Sequence, residues 1–388
     1  MILLPQKAMK PLIAALLALA STLALAAPPQ PDLPVPSAPE LAAKAYILED
    51  FQSGQILAQK NADQREEPAS LTKLMTTYLT FTALKQGKLH LSQTLPVSEK
   101  AWRTGGSRMF IEPNKPVTVD QLIHGMIVQS GNDATVALAE GIAGSEEGFV
   151  QMMNQEAQRL GMKNTHFADA TGLPHPQHYS TAHDLALLTS ALIRDFPEYY
   201  PVFSVKEYKY NNINQPNRDR LLWQDPYVDG LKTGHTDAAG YCLVSSAKRG
   251  GRRLISVVLG TDTDSARAME SQRLLNWGFQ FFDTVRLYKK DQTVATLPVW
   301  KGSENRLRAG FDRDIYIALP KGQYQRLKVS MTSTQPLLAP VNAGQKVGTL
   351  RLTLDGKPFA EYALQSLQNV GVGNIFGRAW DSIRLLFK

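Results

Sequence analysis

The sequence predicts an α+β chain. An antiparallel sheet and a helical subdomain come first, and a small all-β domain follows. Three observations carry this reading. Strand-like runs near residues 45–60 and 241–260 flank a long stretch of helical periodicity, so one sheet has to be closed by distant segments. After about residue 287 the pattern changes to short alternating runs separated by turn residues. A composition that is 43% hydrophobic and 20% charged supports a packed core and excludes a disordered chain. With 388 residues there is room for two domains.

The N-terminus stands apart from the domains. Lys7 and Lys10 precede an apolar run over residues 12–25 that ends in Ala24-Leu25-Ala26, the order of a secretory signal peptide. The run is shorter than the ~20 residues a membrane span needs. Residues 1–26 are therefore expected to be cleaved and the chain exported. Residues 27–40 hold six prolines and read as an extended leader.

The main domain is placed at residues 41–286. Residues 45–60 read as a hairpin turning at Ser53-Gly54. Pro68-Ala69-Ser70 opens a helix whose apolar positions, Leu71, Leu74, Met75, Tyr78 and Leu79, predict one buried face. Further helices are expected over 118–161 and 181–195. Strands follow at 241–247 and 254–260, joined by the tight turn Gly250-Gly251, and a helix covers 265–283. The lone cysteine, Cys242, lies in an apolar run and reads as a buried, inert thiol that has no partner for an internal disulfide.

The second domain is placed at residues 287–368, with strands at 293–299, 315–319, 327–331, 346–354 and 359–364. Residues 369–388 then read as an amphipathic helix. Ile375, Phe376, Trp380, Ile383 and Leu386 lie on one face, with Arg378, Asp381, Arg384 and Lys388 opposite. Gly371 and Gly373 read as a hinge before it. Such a helix suits the plane of a membrane interface. The formal charge of +7 is uneven: residues 286–388 carry +9 and residues 27–285 carry −4. A basic C-terminal region points to an anionic surface as partner, and export argues against nucleic acid.

Three short motifs carry the chemistry. Ser70-Leu71-Thr72-Lys73 sets a hydroxyl and an amine one helical turn apart, and a lysine whose pKa is lowered by burial can deprotonate a serine. Ser130-Gly131-Asn132, between two helices, projects two polar side chains from a glycine turn. Lys232-Thr233-Gly234, on an edge strand before the strand pair, can grip a carboxylate, while its glycine lets a ligand approach the backbone. Each motif alone is weak. No metal-ligand spacing such as H-E-x-x-H is present, and neither metal nor cofactor is expected.

Together, and in this order, S-x-x-K, S-x-N and K-T-G are the signatures of penicillin-recognising serine enzymes. Their surroundings, Glu67 to Met75, Gly105 to Phe110, Ser130 to Ala134 and Val228 to Thr236, make the chain resemble the low-molecular-mass D-alanyl-D-alanine carboxypeptidases, penicillin-binding proteins with a terminal anchoring helix. The resemblance implies a penicillin-binding, β-lactamase-like fold and a serine-type hydrolase. Such an enzyme trims the last D-alanine from peptidoglycan pentapeptide stems and is acylated by β-lactams. It implies that Ser70 is the nucleophile, Lys73 its base, and Ser130 with Lys232 the proton-relay side. Asn132 would bind the peptide backbone, and Ser70 and His235 would supply oxyanion N–H groups. Thr233 and Gly234 complete the strand motif. Arg267 and Arg218 match cleft arginines near the substrate carboxylate. It also implies a periplasmic location, peripheral on the inner membrane. One departure is Thr135, where close relatives often carry cysteine. Two alternatives on the same fold are a D-Ala endopeptidase and a class A-like β-lactamase. Against the latter, acids such as Glu198 lack the Glu-x-x-Leu-Asn context.

Overall fold

The structure, a computed structural model, describes residues 36–386. The signal peptide and residues 27–35 of the leader lie outside the described residues. The main sheet has five antiparallel strands in the order Gln55–Lys60, Ala45–Asp50, Arg252–Thr261, Gly240–Arg249 and Val228–Thr236. The N-terminal hairpin thus pairs with a strand some two hundred residues away, as the two-ended pattern requires. Both faces of the sheet are covered. Ala45, Ile47, Val257 and Leu259 face the larger core, which also holds the helices between residues 73 and 195. The alternate residues Tyr46, Leu48, Leu254 and Val258 face a second core beneath the helix Asp264–Phe281.

The helix Lys73–Lys85 differs from the amphipathic expectation, because it is buried almost all round. Its threonines make this tolerable. Thr77 and Thr80 donate to the carbonyls of Lys73 and Thr76, and Thr76 donates to Ala170 O, so no hydroxyl is stranded. Ser70 does not open that helix. Residues Ala69–Thr72 form a separate 3-10 turn, and the α-helix begins at Lys73. The expected helical stretch 118–161 resolves into Val119–Val128, Asn132–Ala143 and Glu146–Leu160. The expected helix 265–283 stops at Phe281, because Phe282–Tyr288 pairs as a strand with Ile315–Pro320.

The second sheet runs Ala295–Pro298, Arg306–Gly310, Lys357–Ser366, Lys346–Leu354, Leu327–Ser333 around its own core of Leu307, Ile317, Val347, Leu350 and Leu364. The terminal helix is shorter than expected, Ile375–Leu385. Residues 369–374 are extended, and the expected glycine hinge is pinned. Ser303 N–H donates to Gly371 O and Gly373 N–H to Lys301 O, each at 2.8 Å. A Cβ on Gly373 would meet Gly302 O at 2.5 Å, so the glycine is there for close packing. Among the described residues, no helix is long and apolar enough to cross a membrane.

Candidate active site

The three motifs converge on one cleft of about 720 Å³. Ser70, Ser130, Asn132, Thr233, Gly234, His235, Arg218 and Arg267 line it, and Lys73 and Lys232 lie buried beneath, at 1% and 3% exposure. Lys73 Nζ donates to Ser70 Oγ at 3.0 Å, to Asn132 Oδ1 at 2.7 Å and to Thr171 O at 2.7 Å. The amine is thus held against the hydroxyl by two further acceptors, on different segments. Burial brings its pKa down to about 7, with the Arg218 charge helping and the Asp169 and Asp133 charges opposing. Lys232 is pushed well below the usual lysine range, first by burial and then by Lys73, Arg218 and Arg267.

The second motif is built differently from its sequence reading. Ser130, not the glycine, takes the left-handed conformation, with φ 66°. Gly131 is required for space: a Cβ there would sit 2.9 Å from Asp133 Oδ1 and 3.0 Å from Met109 N. Asp133 is fully buried and accepts from the N–H groups of Met109, Phe110 and Ile111, which ties the 105–111 loop to this turn. Asn132 is committed within the protein, to Lys73 at one end and to Gly105 O at 2.7 Å at the other. It therefore orients the amine and the loop, and the second N–H of its amide remains in the cleft that Asn132 lines. Ser130 Oγ is buried without a hydrogen-bond partner. No hydrogen bond joins Ser130 to Lys232 among the described residues, and Lys232 Nζ donates to Thr233 O at 2.9 Å. A buried hydroxyl left unpaired is costly, and its place in the cleft makes it available to a ligand.

The third motif lies on the edge strand Val228–Thr236. The glycine does not make room for a ligand, as the sequence reading held. A Cβ at Gly234 would meet Pro68 O at 3.0 Å and Ala69 Cβ at 3.3 Å, so it lets the strand close on the turn carrying Ser70. The two arginines also separate. Arg267 is buried in the cleft wall, where it donates to Gly234 O at 3.1 Å and pairs with Asp264, so it braces the strand. Arg218 lines the cleft with no hydrogen bond or ion pair among the described residues, and burial of its guanidinium lowers its pKa. His235 is exposed and packs on Tyr241, with ring centroids 4.0 Å apart.

Several residues around the site carry no sequence signal. Asp219 is buried behind the cleft with Oδ2 unbonded, and burial pushes it up to about 6 against the pull of Arg267 and Lys232. Asp169 and His178 lie beneath the first motif. Cys242 is buried and its thiol is pushed up to about 11 by that burial, consistent with an inert side chain. Glu198 does not line the cleft; its nearest cation is Lys85 at 3.9 Å.

Residues 34–263 match the family described as D-alanyl-D-alanine carboxypeptidase, and residues 282–372 match the penicillin-binding protein 5 C-terminal domain. The chain is 47% identical over 358 residues to D-alanyl-D-alanine carboxypeptidase DacC of Escherichia coli, covering 90% of each protein. It is 45% identical over 361 residues to DacA of the same organism, covering 91% of this chain and 90% of that protein. The solved structure of penicillin binding protein 5 from Haemophilus influenzae aligns with a TM-score of 0.84 at 43% identity, over 87% of this chain and 99% of that one.

Proposed function

We propose a residue-level mechanism from one premise: the chain belongs to the D-alanyl-D-alanine carboxypeptidase family and is a serine-type hydrolase of peptidoglycan peptides. The endopeptidase and β-lactamase alternatives are not favoured by these similarities. The observation that carries the mechanism is the buried Lys73 amine, 3.0 Å from Ser70 Oγ, with its pKa brought to about 7.

Ser70 Oγ attacks the carbonyl carbon of the penultimate D-alanine while Lys73, as the free amine, takes the hydroxyl proton. Backbone N–H groups of Ser70 and His235 receive the developing oxyanion. The peptide C–N bond breaks as Ser130 Oγ passes its proton to the leaving amine and takes in its place the one that Lys73 removed from Ser70, which returns Lys73 to the free amine, and D-alanine departs. Water then hydrolyses the ester and restores Ser70. Arg218, as the unpaired guanidinium in the cleft, together with Thr233, holds the terminal carboxylate of the stem. A β-lactam enters as a mimic of this amide and acylates the same oxygen.

To test this, the chain lacking residues 1–26 is incubated with diacyl-L-Lys-D-Ala-D-Ala, free D-alanine is assayed, and the penicillin adduct is mapped. Release of D-alanine and an adduct on Ser70 are expected. An adduct without release would move the activity to crosslinks, and an adduct on another residue would remove Ser70 from its role.

The location is part of the same proposal: export by residues 1–26, then peripheral binding to the periplasmic face of the inner membrane through the terminal helix. In support, that helix meets its own β-domain through its polar side. Asp381 accepts from Lys301 N–H at 2.6 Å, and Arg384 lies over the Trp300 ring. Its apolar residues face outward, with Phe376 87% and Leu386 82% exposed. Deleting residues 375–388, which spares the pinned segment before them, is expected to move the enzyme to the soluble fraction with its D-alanine release intact. Retention of the shortened chain on sedimented membranes would defeat the anchor.

A further inference from the structure

Beneath the first motif lies a buried polar cluster that the mechanism above does not use. Asp169 Oδ1 accepts from Thr171 N–H at 2.6 Å, Thr171 Oγ1 at 2.7 Å and Gly172 N–H at 2.6 Å, closing a tight turn. The carbonyl of that turn, Thr171 O, receives Lys73 Nζ. Asp169 Oδ2 faces His178 Nδ1 at 3.2 Å, and the other ring nitrogen, Nε2, lies 2.8 Å from Thr72 Oγ1. His178 is itself buried, with the Phe167 ring edge-on against it. One carboxylate therefore reaches the S-x-x-K motif by two routes, through Thr171 to Lys73 and through His178 to Thr72.

We propose that Asp169 is a positioning residue for Lys73, shaping the turn that receives the amine and setting, through its charge, how tightly the amine holds its proton. The proposal rests on the reading of Lys73 as the base for Ser70. The charged groups facing Lys73 come from four segments. Asp169 from this turn and Asp133 from the helix Asn132–Ala143 favour the ammonium form. Arg218 and Lys232, from the far side of the cleft, favour the free amine. Asp169 is faced in turn by His178, while Glu146 accepts from Ala170 N–H beside it. Burial alone would push Asp169 up, but the hydrogen bonds from His178, Thr171 and Gly172 outweigh it and hold the carboxyl well below its usual range. Its charge is thus constant while Lys73 titrates.

The test is the rate of Ser70 acylation by a fluorescent penicillin across about pH 5 to 9. Asp169→Asn keeps an oxygen for Thr171 and Gly172 and removes the charge. The acid limb of its profile is expected about one unit below that of wild type, because a lost anion weakens the ammonium form. Asp169→Glu keeps the charge, and its acid limb is expected at the wild-type pH whatever happens to its maximal rate. If Asp169→Asn does not fold, Asp169→Ser removes the charge with a hydroxyl acceptor in place and carries the same expectation. A charge-free variant whose profile superimposes on wild type, or Asn and Glu variants that shift alike, would overturn the proposal. Absence of acylation in wild type would instead defeat the underlying Lys73–Ser70 reading, and this inference with it.

Discussion

Exchanging Lys73 for Met is expected to slow the acylation of Ser70 by about 10³-fold. Met matches the length of the lysine stem and suits the dry slot, so the loss is chemical before it is structural. The hydroxyl at Ser70 loses the one base that is hydrogen-bonded to it among the described residues. Asn132 Oδ1 and Thr171 O lose a donor as well, so the variant is also expected to melt a few degrees lower. The pH profile separates the two effects. In wild type the acylation rate rises with pH through about 7, because the ammonium form of Lys73 cannot accept a proton and the free amine can. That rise should vanish in Lys73→Met. Stopped-flow acylation by a fluorescent penicillin, with a thermal melt beside it, gives both readings. Retention of more than about a tenth of the wild-type rate would mean that Lys73 is not the base.

The second large effect is expected from a residue with no reactive group. Gly172 has φ +86°, and a Cβ there would fall 1.7 Å from Ala69 O and 2.8 Å from Thr72 Oγ1. The neighbour is backbone, and it belongs to the turn that carries Ser70, so relief requires that turn to move. Gly172→Ala is expected to cost about 3 kcal/mol or more of stability, from overpacking added to left-handed strain. It should also lose at least ~100-fold in acylation, since a shift of about an ångström at the nucleophile breaks its alignment. Gly161→Ala is the matched control: its φ is +82°, but nothing lies within 4 Å of the added carbon, so only the strain of about 1 kcal/mol applies. Equal melting points for the two variants would show that the Gly172–Ala69 approach is not as close as described.

The expectations from sequence held where the signal is local. The hairpin at residues 45–60, the strand pair around Gly250-Gly251 and the helix over 181–195 are each set by spacing and turn chemistry within a few residues. They failed where a partner is distant. Phe282–Tyr288 continues the apolar spacing of the preceding helix, and only its pairing with Ile315–Pro320 makes it a strand. Arg306–Gly310 is too short and too charged to announce itself, yet it is the strand that joins Ala295–Pro298 to Lys357–Ser366. Glycines misled for the same reason. Gly131, Gly234 and Gly373 read as a turn, a ligand approach and a hinge, and each is a glycine because another segment presses against it.

The same division runs through the site. Sequence by itself determined that a hydroxyl and an amine stand three residues apart, that a Ser-Gly-Asn turn joins two helices, and that Lys-Thr-Gly lies on a strand, because covalent spacing is enough to place them. The tertiary structure alone decided that the amine is dry, that Thr171 and Asn132 aim it at Ser70, and that Asp169 and His178 stand behind it. Desolvation and close approach depend on which remote segments cover a residue, and a linear spacing contains neither.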